Sequence, residues 1–281
     1  MSLNLRRDIG YIRRKTFLYK VRLLKGHMNK LPSGIQVSAS DRCNFNCVSC
    51  WIHVPNVIRN DTNHEANLFS TVKPTIMDMQ LYRGLISEIA KKQRISIDFV
   101  GKGEPTLNPN LVDMIALAKE NGFPCGLSTN GSSLSFELLK DLQRLNISLN
   151  ACDVNNHKNY SHVKKDCFTE TVEFIRKMRD SGKNFANLGL SFIIGAHNIS
   201  QVSHMIKLSR ELLLPGNRVT LYPEWIFPGN EQNRISKEQF ESLLEDCEGV
   251  WGVKTGRYIF VWDFRTFVLN NPGKVRASKS R

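Results

Sequence analysis

Short β-rich runs alternate with helix-period runs along most of this chain. The β-rich runs occupy residues 35–40, 95–100, 126–129, 147–149, 188–194 and 218–222. Between them, apolar residues recur every three to four positions. Tyr82, Ile86 and Ile89 share a helical face, as do Leu111, Ile115 and Ala118. The sets Leu138, Leu142, Leu145 and Phe168, Val172, Ile175 predict two more such faces. Gly122, Gly182 and Gly216 stand where helices would stop. Six strands separated by helices predict parallel β/α units with right-handed crossovers, and runs such as 190–194 suit strands covered on both faces. Periodicity alone leaves an open sheet and a partial barrel equally open.

Both architectures gather functional residues at the carboxyl ends of their strands. The polar and glycine-rich clusters of this chain fall there. The second strand leads into Gly101, Lys102, Gly103, Glu104 and Pro105, and the third into Thr129, Asn130 and Gly131. The fourth leads into Asn150, Ala151, Cys152 and Asp153. The fifth leads into Gly195, Ala196, His197 and Asn198, and the sixth into Pro223, Glu224 and Trp225. One glycine-rich loop would mean a tight turn, whereas a set meeting at one rim is a site.

After the first strand comes Cys-Asn-Phe-Asn-Cys-Val-Ser-Cys, with thiols at Cys43, Cys47 and Cys50. Three thiolates on one tight loop can hold three corners of a cubic iron–sulfur cluster and leave the fourth iron open to a small molecule. Zinc is the competitor, with His53 as a fourth ligand, although structural zinc usually takes paired Cys-x-x-Cys knuckles. Buried structural cysteines fit less well, because Asn44, Asn46 and Ser49 mark an exposed loop.

The 281 residues, 41% of them hydrophobic, suffice for one α/β core of barrel size. No apolar run is long enough to span a membrane, and arginines and a lysine interrupt the N-terminal stretch where a secretory signal would lie. A reducing cytoplasm is the expected location, so the seven cysteines read as ligands, reactive thiols or core rather than as disulfides. The net charge of +13 is concentrated at the ends. Residues 1–30 read as a basic amphipathic helix with Phe17, Val21 and Leu24 on one face. That helix suits an anionic membrane surface, a nucleic acid, or a plug for the open end of the fold. Residues 51–75 form a polar insertion of lid-like length beside the cysteine loop. Past Asn233 the pattern predicts one more helix, with Phe240, Leu244 and Cys247 on a face, and short strands at 258–264 and 266–269.

The cysteine loop, followed in order by Gly101–Lys102–Gly103–Glu104–Pro105, Ser128–Thr129–Asn130–Gly131 and Ser148–Leu149–Asn150–Ala151, resembles the core of the radical S-adenosylmethionine (SAM) enzymes. The resemblance covers about 200 residues, from 31 to 232. It implies a partial (β/α)6 TIM-like barrel with the basic N-terminal helix before it and a small C-terminal lobe, 233–281, after it. It also implies one 4Fe-4S cluster ligated by three cysteines, S-adenosyl-L-methionine as cosubstrate, and a reducing partner such as a flavodoxin or ferredoxin. The methionyl group of SAM would chelate the open iron. Its reductive cleavage would yield a radical that takes a hydrogen atom from a substrate C–H bond. The substrate would be a small molecule, sugar or peptide. The class of reaction, whether oxidoreduction, epimerisation or another C–H activation, stays open, because fold and cofactor do not fix substrate. The alternatives are a radical enzyme that modifies RNA and a non-catalytic, metal-stabilised binding protein.

By the same resemblance, Gly103 and Glu104 would meet the methionyl amine, and Ser148 and Asn150 the ribose or carboxylate, with Gly101 also in the cofactor set. Asn130 and Asn198 belong to the cofactor set, and backbone at Phe45 and Tyr222 would flank the adenine. Two positions depart from the family pattern. Ser49 replaces the usual aromatic residue before the third cysteine, which would shift adenine packing to Phe45 or Trp51, and Asn150 replaces the usual Asp. The C-terminal stretch resembles the start of a SPASM or twitch domain, but Ser278 stands at its cysteine position and no cysteine follows Cys247. One cluster rather than two is therefore expected. Alternation along one strand would bring Cys152 to the interior beside Ser148 and Asn150, where its thiol could donate a hydrogen atom; a core cysteine is the simpler reading. Glu224 is a candidate substrate base by position.

Overall fold

The computed structural model describes residues 33–50, 75–92, 94–181, 187–213, 217–224, 231–239, 242–243 and 259–261. The basic N-terminal helix, the insertion at 51–74, most of the helix expected past Asn233, and residues 262–281 lie outside the described residues.

Within them, strands and helices alternate. In chain order they are β1 (Gly34–Ser38), α1 (Met79–Ala90), β2 (Ser96–Val100), α2 (Leu111–Glu120), β3 (Cys125–Thr129), the single turn α3 (Phe136–Leu139) and β4 (Arg144–Ser148). Next come α4 (Val154–Ser161), α5 (Cys167–Asp180), β5 (Leu188–Ile194), α6 (Val202–Leu212), β6 (Arg218–Pro223) and β7 (Ile259–Val261). All pairings are parallel and the strand order is sequential, from β1 to β7. Among the described residues β1 and β7 are the two edges, and the sheet does not close between them. The strand at Ile259–Val261, placed by sequence in a separate C-terminal lobe, instead pairs with β6 as the seventh strand of the sheet.

Local chemistry accounts for several element boundaries. Asp78 caps α1 by accepting from the backbone N–H groups of Gln80 and Leu81. Asp153 and Asp166 cap α4 and α5 in the same way, through Asn156 and Thr169. Gly122, at φ +76°, closes α2 in the left-handed conformation, where its N–H reaches the Lys119 carbonyl.

The helices cover one face of the sheet. Val37, Ile97, Phe99, Leu127, Leu145, Ile147, Leu190 and Phe192 pack there against Tyr82, Ile86, Met114, Ile115, Val172, Ile175 and Met205, all buried. The expectation of strands apolar on both faces fails for β2 and β4, where burial alternates residue by residue. Their second face is polar and lines the barrel interior. There Arg144 donates to Asp98 at 2.8 Å across Gly126, where a Cβ would strike the Asp98 carboxylate. The predicted face of Leu138, Leu142 and Leu145 is also corrected. α3 ends at Leu139, and Leu145 belongs to β4. A turn followed by a strand reproduced helical spacing by coincidence.

Candidate active site

The cysteine loop leaves β1 through Ser40 and Arg42 and is strapped to the next two strand exits. Gly103 N–H donates to the Ser40 carbonyl at 3.1 Å, and Glu104 N–H to the Arg42 carbonyl at 2.8 Å. Gly101 adopts φ +144°, and a Cβ on Gly101 or Gly103 would collide with Ser38 or with the Arg42 carbonyl. The Glu104 carboxylate is buried and hydrogen-bonded to its neighbours. Its Oε1 accepts from Thr129 Oγ1, Thr106 Oγ1 and Thr106 N–H, and its Oε2 from Asn130 N–H at 2.7 Å. It therefore ties the β2 exit to the β3 exit. The Asn130 side chain donates to Asn44 Oδ1 at 2.9 Å and accepts from Ser132, while Asn44 donates to Ser132 Oγ. Asn44 lies inside the cysteine motif, so Asn130 fastens the loop from the other side.

Cys43, Cys47 and Cys50 are reduced and half-buried. Cys50 N–H donates to the Cys47 carbonyl, which keeps the last turn tight. The far side of the loop rests on α4, through Asn46 N–H to the Ser161 carbonyl and Val48 N–H to the Tyr160 carbonyl. The Ser49 hydroxyl contacts the Tyr160 hydroxyl. Burial, with smaller contributions from the neighbouring thiols and from Glu104, pushes the Cys43 and Cys47 thiols above their ordinary range. A cationic iron centre would reverse that cost. Among the described residues no three His, Cys, Asp or Glu side chains converge on a single ion. Cubane ligation needs no such convergence, because each thiolate binds a separate iron. His53, the residue proposed to complete a zinc site, lies outside the described residues. The loop and its flanking glycines thus suit a three-thiolate cluster with space above it.

The Phe45 ring packs edge-on against His157, 5.5 Å between centroids and 77° between planes, so this residue offers its backbone to the loop's outer side. Tyr222 stands partly exposed near the end of β6, paired with Ile193. Trp51 lies outside the described residues. Ser148 Oγ is 3.3 Å from Ser191 Oγ on the inner face.

Asn150, two residues past the end of β4 at Ser148, adopts φ +57°, which Asn tolerates better than most residues. This breaks the alternation that would have carried Ser148, Asn150 and Cys152 onto one face. Asn150 Oδ1 accepts from Ile193 N–H at 2.8 Å. Cys152 instead lies 3.4 Å from Asp153 Oδ2 and 3.6 Å from Gln201 Oε1. Burial, reinforced by Asp153, pushes its thiol up to about 11. Asn198 is buried and closes the β5 loop, accepting from Gly195 N–H and donating to the Ile193 carbonyl.

Beside the loop lies a cavity of about 240 Å³. Val48 of the cysteine motif forms one wall and Asn156, Asn159 and Tyr160 of α4 another. Asn150, His197, Asn198, Gln201 and Asn233 complete it. The His197 ring stacks on Tyr160 at 6.0 Å, and its Nδ1 is 3.4 Å from Glu224 Oε2. Asn233 donates to Glu224 Oε1 at 2.8 Å. Burial holds His197 below its ordinary imidazole value. Glu224 therefore sits behind the cavity, as the partner of His197 and Asn233. Sequence reasoning missed α4 and with it Asn156, Asn159 and the wall role of Tyr160. The available signal was Asp153 as a cap ahead of an Asn-rich, weakly apolar run.

The profile of the radical SAM superfamily matches residues 37–208, more than half of the chain, and the chain belongs to that superfamily. Members of that superfamily use a 4Fe-4S cluster and S-adenosylmethionine. A tungsten-containing aldehyde ferredoxin oxidoreductase cofactor-modifying protein of Pyrococcus furiosus is 26% identical over 204 residues, 68% of this chain and 53% of the relative. A probable GTP 3′,8-cyclase of Saccharolobus islandicus is 27% identical over 183 residues, 63% of this chain and 53% of the relative. The chain thus spans about half the length of the curated relatives it matches. Among solved structures, Streptococcus suis SuiB bound to S-adenosylmethionine shares the fold at TM-score 0.64 and 11% identity, over 91% of this chain and 56% of that one. Native anSMEcpe with bound AdoMet does so at TM-score 0.61 and 15% identity, over 86% and 67%. Among the described residues no helix is long and apolar enough to cross a membrane.

Proposed function

We propose that this chain cleaves S-adenosylmethionine reductively at a cluster held by Cys43, Cys47 and Cys50 and abstracts a hydrogen atom from a C–H bond of a sugar-like or peptide substrate. The single observation that carries this is the strapping of one three-thiol loop to the β2 and β3 exits by Gly103, Glu104 and Asn130. When bound, the cluster supplies one low-potential electron and an open coordination site. The rest falls to the protein. Gly101 and Gly103, lacking Cβ atoms, let the β2 exit pack against Ser38 and the Arg42 carbonyl, beside the cysteine loop where the methionyl end would lie. Ser148 and the Nδ2 of Asn150 offer hydrogen bonds toward the nucleoside. α4 and the β5 loop hold the target beside the cysteine loop and exclude water. A flavodoxin- or ferredoxin-like donor would supply the electron, and a reducing cytoplasm suits three ligand thiols.

SuiB has been solved bound to its precursor peptide SuiA, which keeps a peptide among the substrate classes to be tried. Anaerobic reconstitution tests the proposal. The chain should take up about four irons and release 5′-deoxyadenosine under reductant, and uptake of zinc in their place would refute it.

A further inference from the structure

The cysteine loop has a second support besides the straps from the β2 and β3 exits. It comes from the last turn of α4. The end of a helix leaves its final carbonyls without partners in the helix, and α4 stops at His162, which takes φ +53°. The loop fills two of those carbonyls. Val48 N–H donates to Tyr160 and Asn46 N–H to Ser161, each at 3.0 Å. The two bonds clamp the backbone on either side of Cys47. The Tyr160 side chain reaches further, and its hydroxyl contacts that of Ser49, the residue between Val48 and Cys50.

Tyr160 is itself held from behind. It is buried, and its ring stacks on His197 with 24° between the planes. His197 Nδ1 faces Glu224 Oε2 at 3.4 Å, and Asn233 fixes the other oxygen of that carboxylate. The phenol is thus gripped at its ring by the β5 loop, backed by the β6 exit, and at its hydroxyl by the cysteine loop. Burial above all pushes the phenol well above its ordinary range, so it keeps its proton. A buried O–H gives that proton to an acceptor, and the Ser49 oxygen is the one in contact. The positive end of the O–H dipole then faces the Cys47–Cys50 turn.

We infer that Tyr160 is a positioning residue for the cluster: through Ser49 it fixes the Cys47–Cys50 turn and holds an O–H dipole toward it, which raises the cluster's reduction potential. Hydrogen bonding and solvent exposure around the sulfurs are among the levers that set such potentials. A dipole whose positive end faces an anionic cluster favours the added electron, and more so in a buried setting of low dielectric. The inference rests on the enzyme reading above and goes beyond it, because that reading gives α4 a role toward the target and none toward the cluster.

The experiment is a redox titration of the reconstituted full chain without cosubstrate, followed by electron paramagnetic resonance. Tyr160→Phe keeps the ring and its stack and removes the hydroxyl, and Ser49→Ala removes the other half of the contact. Each variant should load iron to the wild-type level. At a fixed poise each should show a reduced-to-oxidised ratio about tenfold lower, the equivalent of one lost hydrogen bond and of about 59 mV for one electron. The double variant should shift no further than either single one, since all three remove the same contact. The inference is overturned if the ratio in Tyr160→Phe is unchanged, or if the two single shifts add in the double variant. Iron lost without a shifted ratio in whatever cluster remains also overturns it, because the contact would then be structural only. A wild-type chain that holds no cubane sinks the enzyme reading and this inference with it. An unshifted variant of a wild type that loads the cluster and releases deoxyadenosine sinks this inference alone.

Discussion

The two sides of the barrel mouth use their polar groups differently. On the β1–β3 side they are spent on one another. Glu104 accepts four hydrogen bonds, Asn130 and Asn44 bond each other and Ser132, and Gly103 and Glu104 lend their N–H groups to the loop before Cys43. On the β4–β6 side, Asn150, Asn156, Asn159 and Gln201 keep donors or acceptors facing a cavity. A side whose hydrogen bonds close internally is preorganised and tolerates little change. A side with capacity left over can change its ligand without unfolding.

The largest effect should come from the thiols. Serine at Cys43, Cys47 or Cys50 gives a hard oxygen in place of a soft thiolate. Iron should fall from about four per reconstituted chain toward zero, with loss of the cluster's visible absorbance. Retained iron would show that the β1–β3 side is not the metal side.

Glu104→Gln comes next. An amide N–H₂ at either oxygen would face donors that now meet a carboxylate. The loss should be about 3 kcal/mol, read from urea unfolding of the metal-free chain. Asn159→Ala on the other side should change the same midpoint by less than about 0.5 kcal/mol. Equal losses would erase the contrast between the two sides. Gly103→Ala forces a Cβ into the Arg42 carbonyl and should cost about 1–3 kcal/mol.

The smallest effect is one of pH. Burial lowers the imidazole pKa of His157, which is wedged between Phe45 and Phe168. The unfolded chain therefore takes up its proton first. The contribution is complete above the unfolded value of about 6.5 and is lost as pH falls through the lower folded value. His157→Phe keeps the packing and removes the titration. Its urea midpoint should fall less than wild type between about pH 7.5 and 5.5, by under about 1 kcal/mol.

Much of the fold was legible because strands and helices announce themselves by period. Each of the six β-rich runs overlaps an observed strand, and Tyr82/Ile86/Ile89 and Phe168/Val172/Ile175 do form buried helix faces. Legibility failed where the pattern is short. α4 carries a weak apolar stripe and was not foreseen, and a single turn before β4 imitated a helix through Leu145. The Phe45 ring could not be placed because an aromatic residue in a loop has no period to read.

By itself the sequence determined the order of the parts. Thiol spacing, the glycines at 101 and 103 and the strand–helix alternation are local properties, fixed by covalent spacing and side-chain shape. Only the tertiary structure decided what those parts do to one another. The Glu104 carboxylate became a strut between strand exits, Asn150 turned left-handed and its Oδ1 accepts from Ile193 N–H, and a distant run, Ile259–Val261, joined the sheet as its seventh strand. Each of these depends on groups far apart in the chain meeting at hydrogen-bond distance, which no local pattern encodes.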